Sequence, residues 1–277
     1  MKLKFYGTRG SIPVCDAGFQ QFGGNTTCFQ ITFPDINQIA IVDAGTGIRN
    51  LGRDLRAMGH KQEQIVLAFT HFHWDHIQGF PFFPQAYDPA QKLTLLTLGE
   101  HQEITDLKQV FETQMQSVYF PVQLNHMGAS FRFVQMQKAT GQLDELNEST
   151  TISAYKLNHP GGAYAFRIER DGRVLVICTD VEHGKTLDPG VVEFATNADI
   201  LVHDAQYTTE ELATRTGWGH SSYEQAMQVA ELAGVKRLVM THHDPDHDDD
   251  FLTRMEKLCQ ERFKECLLAR EGMELEM

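Results

Sequence analysis

The chain holds few cysteines and no Cys-x-x-Cys pair. The five present, Cys15, Cys28, Cys178, Cys259 and Cys266, are scattered and odd in number. That pattern speaks against a disulfide framework and for reduced thiols. There is no uninterrupted apolar run of membrane-spanning length, and Met1-Lys2-Leu3-Lys4-Phe5 lacks the long apolar core of a signal peptide. A cytoplasmic protein with no membrane partner is the expectation. Basic residues are also scarce, with 24 Lys and Arg against 37 Asp and Glu and a formal charge of -13. Polyanion binding draws on clustered Lys and Arg, so extended nucleic acid is not expected as a partner. A small anionic substrate remains compatible, because bound metal ions would dominate the local field. No fixed-period repeat is visible. With 277 residues, 42% hydrophobic and 22% charged, the chain can bury a substantial core, and 1–277 reads as a single domain.

Alternating or continuous apolar runs mark strands near 3–6, 28–33, 39–42, 65–69, 93–98, 131–134, 151–157, 163–168, 174–178, 200–202 and 237–240. Helical spacing marks 47–59, with Ile48, Leu51, Leu55 and Met58 on one face, and 100–115. A third helix, 222–233, buries Ala226, Val229, Ala230 and Ala233 behind an N-cap at Ser221 or Ser222. A last one runs through Phe251, Met255, Leu258 and Phe263. Asp171-Gly172-Arg173 reads as a hairpin turn, and 141–149 as a polar turn or short linker. For the aromatic stretch Phe80-Pro81-Phe82-Phe83-Pro84, core filling is preferred to substrate stacking.

The densest chemistry lies in residues 70–79, Thr-His-Phe-His-Trp-Asp-His-Ile-Gln-Gly, directly after the apolar run Ile65-Val66-Leu67-Ala68-Phe69. Three imidazoles and a carboxylate in six positions at a strand end are the donor types that zinc and similar ions prefer, and they are costly to bury unpartnered. Other apolar strands end in the same residue types: Asp43, His159, Asp180, Asp204 and His242. Taken singly, His159 before Pro160 is equally a loop histidine, and Asp180 equally a turn former. Together, at strand ends that converge on one edge of a layered α/β fold, they are better explained by one polynuclear centre. Asp43, before the motif, suits either a turn or support of a ligand.

The signature His71-x-His73-x-Asp75-His76, followed in order by His159, Asp180 and His242, resembles the metallo-β-lactamase superfamily of dinuclear metallohydrolases. The resemblance runs through nearly the whole chain. It implies an α/β fold, a four-layer αβ/βα sandwich of two mixed β-sheets flanked by helices. It implies two divalent metal ions, zinc first, with manganese or iron as alternatives. His71, His73 and His159 would hold one ion, Asp75, His76 and His242 the other, and Asp180 would bridge them. His242 is chosen over His243 because it directly follows the strand and Thr241. Asp43 would fix the tautomer of a ligand imidazole.

Aspartate at 180 is similar to the phosphodiesterase branch, where β-lactamases place cysteine. Gly219-His220-Ser221-Ser222, with His203-Asp204-Ala205 upstream, resembles the tRNA 3′-processing endonucleases. That resemblance implies His220 as the acid that protonates the leaving group, held by Asp204. The long Gly/Pro-rich arm with which those endonucleases clamp tRNA is not found here. The opening Gly7-Thr8-Arg9-Gly10-Ser11-Ile12-Pro13 and the closing His242-His243-Asp244-Pro245 resemble a bacterial subgroup that includes small-molecule and cyclic-nucleotide phosphodiesterases.

The expected activity is therefore metal-dependent hydrolysis of a small phosphodiester, a cyclic nucleotide first, by a hydroxide bridging the two ions. Asp75, which would orient the nucleophile and take its proton, His220 and Asp204 are the expected catalytic residues. Arg9, Asn25 or the Gly23-Gly24 backbone would meet the phosphate, and Phe82, Phe83 and Tyr119 are second-choice base-stacking residues. The alternative is a tRNA 3′-processing endoribonuclease; from another class, a di-iron redox or oxygen sensor. A homodimer is the default assembly.

Overall fold

The computed structural model describes residues 1–33, 38–59, 64–99, 106–136, 140–141 and 149–277. From the N-terminus, β1 (Lys2–Gly7), β2 (Cys28–Phe33) and β3 (Gln38–Val42) lead into α1 (Ile48–Ala57). Next come β4 (Gln64–Phe69), the short α2 (Trp74–Ile77), β5 (Lys92–Leu98), α3 (Leu107–Gln114) and β6 (Ser130–Met136). The second half runs β7 (Thr140–Gly141), β8 (Thr150–Leu157), β9 (Ala163–Arg170), β10 (Arg173–Cys178), α4 (Pro189–Phe194), β11 (Ile200–Asp204) and α5 (Thr209–Leu212). It closes with α6 (Tyr223–Leu232), β12 (Arg237–Thr241), α7 (Asp249–Arg262), β13 (Cys266–Leu268) and β14 (Glu274–Glu276).

The strands form two sheets of seven, ordered β14-β1-β2-β3-β4-β5-β6 and β13-β12-β11-β10-β9-β8-β7. Each is mixed. β3 to β6 run parallel in the first, β10 to β13 parallel in the second, and the remaining pairs are antiparallel. Alternation in the strands gives each sheet an inner and an outer apolar face. Leu3, Phe5, Phe29 and Ile31 of one sheet meet Phe166, Ile177, Val202 and Val239 of the other in the central core. A second cluster lies under α4, α6 and α7, and a third under α1 and α3. This is the αβ/βα sandwich that the resemblance implied. Each buried Leu, Ile or Phe contributes roughly 1.5–3 kcal/mol.

Local signals account for most boundaries. In the turn from β9 to β10, Asp171 and Gly172 have φ of 51° and 72°, the left-handed pair that matches hairpin twist. Ser222 caps α6 in a reciprocal box, its Oγ accepting from Gln225 N–H while Gln225 Oε1 accepts from Ser222 N–H.

Two helix faces differ from expectation. Met58 is the C-cap that follows α1 and is 58% exposed, because the buried stripe of α1 ends at Leu55. In α7 the enclosed residues are Leu252 and Cys259, seven apart and on one stripe, whereas Leu258 is exposed. Phe251, Met255 and Phe263 of the expected face pack, partly buried, against the second cluster. Short α4, α5, β13 and β14 carried no readable period. Residues 100–105 of the predicted second helix and 142–148 of the predicted polar turn lie outside the described residues. Among the described residues no helix is long and apolar enough to cross a membrane.

The topology fixes where the site falls. β3, β4, β10, β11 and β12 are central strands whose C-terminal ends carry Asp43, His71, Asp180, Asp204 and His242. β8 runs antiparallel to β9, and β9 antiparallel to β10, so β8 ends on the same side and delivers His159 there.

Candidate metal centre

Three of these strand-end residues leave their strands through left-handed backbone: Asp43 at φ 62°, Asp180 at 60° and His242 at 63°. Such residues cost of order 1–3 kcal/mol each and persist where the surroundings over-determine them. Asp and His are among the side chains that adopt this region most readily. All three side chains are enclosed, and all three belong to one network.

Asp43 organises its base. Its Oδ1 accepts from Thr70 N–H at 2.8 Å, and its Oδ2 accepts from Thr70 Oγ1 and from His76 Nδ1, both at 2.8 Å. Because Thr70 Oγ1 gives its proton to Asp43, it is an acceptor for His71 Nδ1, 3.1 Å away. His159 Nδ1 donates to the Gly219 carbonyl at 2.8 Å, and His242 Nδ1 lies 3.2 Å from Gln206 Oε1. Four imidazoles thus have Nδ1 tied to a protein acceptor, which leaves an Nε2 lone pair on each.

Those lone pairs converge on carboxylates. His76 Nε2 lies 3.2 Å from Asp180 Oδ2 and 3.4 Å from Asp75 Oδ2. His242 Nε2 is 3.3 Å from Asp180 Oδ1 and 3.1 Å from Asp75 Oδ2. His71 and His159 Nε2 each lie 3.8 Å from Asp180 Oδ1, and His159 Nε2 is 3.0 Å from His73 Nδ1. With those four rings neutral, each Nε2 lone pair faces a carboxylate oxygen, acceptor against acceptor. His71 Nε2 and Asp180 Oδ2 accordingly have no hydrogen-bond partner, though both are enclosed. Only cations among these atoms resolve the arrangement. Donors around a tetrahedral zinc, at ~2.0–2.2 Å from the ion, sit about 3.4 Å from one another, the spacing found here.

His71, His73 and His159 make one candidate ligand group, and Asp75, His76, Asp180 and His242 another, each with ligand atoms within 4.8 Å of one another. They form a dinuclear divalent-metal site of the zinc type, with Asp180 in contact with both groups. Protons compete with metal ions for these atoms. Burial works against charge on His76 and His242, yet the Asp180 and Asp75 carboxylates push His76 well above the usual imidazole value and His242 up to about 9. Burial, helped by the neighbouring imidazoles, prevails at His71, His73 and His159, which are held below it. Despite burial, the surrounding imidazoles hold Asp75 and Asp180 well below the ordinary carboxyl value. Ion binding therefore displaces protons and strengthens as pH rises.

Beside the centre, His220 Nδ1 donates to Asp204 Oδ2 at 2.8 Å, and that same oxygen accepts from Asp180 N–H at 3.1 Å. Asp204 Oδ1 accepts from Ser221 N–H and Gln206 N–H. Burial opposes its charge, but His220 leads the groups that hold its carboxyl below the ordinary value. The His220 ring stacks on His242, with centroids 4.9 Å apart and planes at 23°. All the expected site residues, His71, His73, Asp75, His76, His159, Asp180, His242, Asp204 and His220, are thus brought into one contact network. His243 is turned away, with Nε2 donating to the Ala269 carbonyl at 2.9 Å.

Two of the expected phosphate contacts, Arg9 and Asn25, are committed elsewhere. Arg9 is fully enclosed, and its guanidinium donates to the carbonyls of Gly23, Asp244 and His247. It clamps the first loop to the last, where sequence shows only a cation in a polar stretch. Asn25 Nδ2 is committed to Glu271 Oε2 at 2.9 Å. Phe83 is core, while Phe82 and Tyr119 are exposed.

Other contributors had little signal in sequence. Gly10 packs so closely that a Cβ there would lie 2.3 Å from His242 Nδ1. Ser11 N–H donates to Asp75 Oδ2 at 2.8 Å. Glu182 accepts from Gly217 and Gly219 N–H at 2.8–2.9 Å, pinning the segment before His220.

A profile of the β-lactamase superfamily domain matches residues 40–243. With this fold and centre, the chain belongs to the metallo-β-lactamase superfamily and is a metal-dependent hydrolase. Within it, the chain is related to the ribonuclease Z branch. It is 33% identical over 327 aligned positions to the ribonuclease Z of Rippkaea orientalis, covering 100% of this chain and 98% of that protein. Among solved structures, the metallo-β-lactamase fold protein YhfI from Bacillus subtilis matches with TM-score 0.71, 20% identity and 99% of each chain covered. The short form of human tRNase Z matches with TM-score 0.65 at 18% identity, covering 100% of this chain and 99% of that one. These two likenesses speak for the fold.

The end-to-end ribonuclease match overturns the expectation of a small phosphodiester with extended nucleic acid excluded. The reason is physical. A net charge of -13 averages the whole surface, whereas phosphate binding at such a site is governed by the local field of bound ions.

Proposed function

We propose that this protein is an endoribonuclease of the ribonuclease Z type, cutting a phosphodiester in an RNA chain such as a 3′-extended precursor tRNA. The observation that carries this reading is the His220–Asp204 pair beside the metal centre. A ribose alkoxide is a poor leaving group, so its departure gains most from a positioned proton donor. The ribonuclease relatives support the substrate class.

His71, His73 and His159 would hold one ion, Asp75, His76 and His242 the other, with Asp180 between them. Bound there, two divalent ions supply Lewis acidity, lowering the pKa of water to make a nucleophile near neutral pH and neutralising phosphate charge. Asp75 orients the attacking water and accepts its proton. Its position is fixed by Ser11 N–H. Asp204 holds the His220 ring through Nδ1, which leaves Nε2 to deliver a proton to the departing oxygen. Asp43 keeps His76 in the tautomer with its Nε2 lone pair facing the centre.

The test is substrate choice. Protein reconstituted with zinc or manganese is offered a 3′-extended precursor tRNA and, separately, 2′,3′- and 3′,5′-cyclic nucleotides. The expected result is cleavage of the RNA at an internal bond, with cyclic nucleotides turned over far more slowly. Rapid turnover of cyclic nucleotides with the RNA left intact would overturn the reading.

A further inference from the structure

The chain has two tryptophans, Trp74 and Trp218, and they are 65% and 60% exposed. Indole has much to gain from burial, and most Trp side chains are largely covered. Here neither contributes to the core clusters.

Their placement is specific. Trp74 directly follows His73, and Trp218 directly precedes Gly219. Both of those neighbours touch one ring. His159 Nε2 lies 3.0 Å from His73 Nδ1, and His159 Nδ1 donates to the Gly219 carbonyl at 2.8 Å. The chain neighbours of the two tryptophans therefore meet the two ring nitrogens of His159. In the His71, His73 and His159 group, His73 is the exposed member. The exposed member of that group is thus the chain neighbour of Trp74, and the ring it meets also holds the carbonyl next to Trp218.

Both are anchored on short, hydrogen-bonded backbone. Gly217 N–H donates to both carboxylate oxygens of Glu182 at 2.9 Å, and Gly219 N–H donates to Oε2 at 2.8 Å. Trp218 is the middle residue of a tripeptide strapped to an enclosed carboxylate. Glu182 is itself joined to the strand end that bears His159: its N–H donates to the Asn158 carbonyl, and its carbonyl accepts from Asn158 Nδ2, both at 2.9 Å. Trp74 opens α2, where its carbonyl accepts from Gln78 N–H at 2.7 Å, and the next two residues of that helix lie in the centre. An aromatic ring on such a scaffold loses little freedom when a ligand stacks on it.

We propose that Trp74 and Trp218 form a nucleobase-stacking subsite at the mouth of the metal centre, taking bases that flank the cleaved phosphodiester in single-stranded RNA. The inference rests on the RNA reading above and names what grips the RNA beside the cut. Stacking on an aromatic face is tolerant of sequence, and is worth on the order of tenfold or more in binding per base.

Two tryptophans make the test direct, since Trp74→Phe or Trp218→Phe leaves a single indole to report. In metal-loaded protein carrying His220→Ala to slow turnover, each single-tryptophan variant is titrated with a single-stranded trailer oligoribonucleotide and with the same strand abasic around the cut. Quenching by the first and not by the second is expected for both. In otherwise unaltered enzyme, Trp74→Ala and Trp218→Ala should each raise KM for precursor tRNA about tenfold with little change in kcat. Neither should add to the raised KM of the abasic substrate. Unchanged KM in both variants, or equal losses on base-bearing and abasic RNA, would overturn the proposal. Base-dependent quenching without RNA cleavage by the unaltered enzyme would support the subsite and overturn the endoribonuclease reading alone.

Discussion

His220 Nδ1 donates to Asp204 Oδ2 at 2.8 Å, and the same carboxylate oxygen accepts the backbone N–H of Asp180, which lies between the two candidate ligand groups. The proposed proton donor and the centre of the proposed metal site thus share one fixed carboxylate. That coupling places the ring beside the reaction with its Nδ1 committed to Asp204.

Replacing His220 by Ala should leave metal content unchanged and lower kcat on precursor RNA by about 10²–10⁴-fold, the usual contribution of a positioned general acid. On bis(p-nitrophenyl) phosphate, whose leaving group needs no proton, the loss should be far smaller. Parallel kinetics on both substrates with elemental analysis checks this. Equal losses would count against the assignment.

Asp43→Asn should weaken metal binding by about 10–100-fold, as expected when a partner that orients a ligand imidazole is altered. Asn tolerates the left-handed backbone at φ 62°, so the strand end survives. What changes is the acceptor that His76 Nδ1 and Thr70 Oγ1 share. Competition with a chromophoric chelator measures the affinity. Retention of full affinity would show that the His76 tautomer is set elsewhere.

A buried histidine pair outside the centre sets an acid limit on stability. Asp188 N–H donates to His183 Nδ1, the two Nε2 atoms of His183 and His203 are 3.4 Å apart, and His203 Nδ1 donates to the Asp204 carbonyl. This relay requires both rings neutral. Burial first, and then the neighbouring His203, push His183 down to about 3. An unfolded histidine titrates near ~6.5, so between those values the unfolded chain binds more protons and stability rises with pH. The contribution is complete above the unfolded value and is lost as pH falls, at no more than ~1.4 kcal/mol per pH unit. His183→Gln should flatten that acid limb in urea unfolding followed from pH 7 to 4. A limb parallel to the unaltered protein's would refute the linkage.

How much could be read in advance depended on the range of the interactions. Residues 70–79 and the strand-end Asp and His were legible because each follows an apolar run, and parallel central strands bring their C-terminal ends to one edge. Glu182 was not, because its role exists only through N–H groups at 217 and 219. Arg9 was misread as a phosphate contact because exposure depends on Asp244 and His247, more than two hundred residues away. The left-handed turns at Asp43, Asp180 and His242 carried no glycine to announce them. The RNA substrate proposed here was not legible because formal charge sums the whole surface and carries nothing about its arrangement.

The most direct measurement is single-turnover cleavage of one 3′-extended precursor tRNA by chelator-stripped protein, by the same protein after zinc or manganese is restored, and by Asp180→Asn under both conditions. Internal cleavage should vanish on stripping, return with the ion, and fall by at least about a hundredfold in the variant. Cleavage by stripped protein, or full ion-restored cleavage in the variant, would contradict a ribonuclease built on this metal centre.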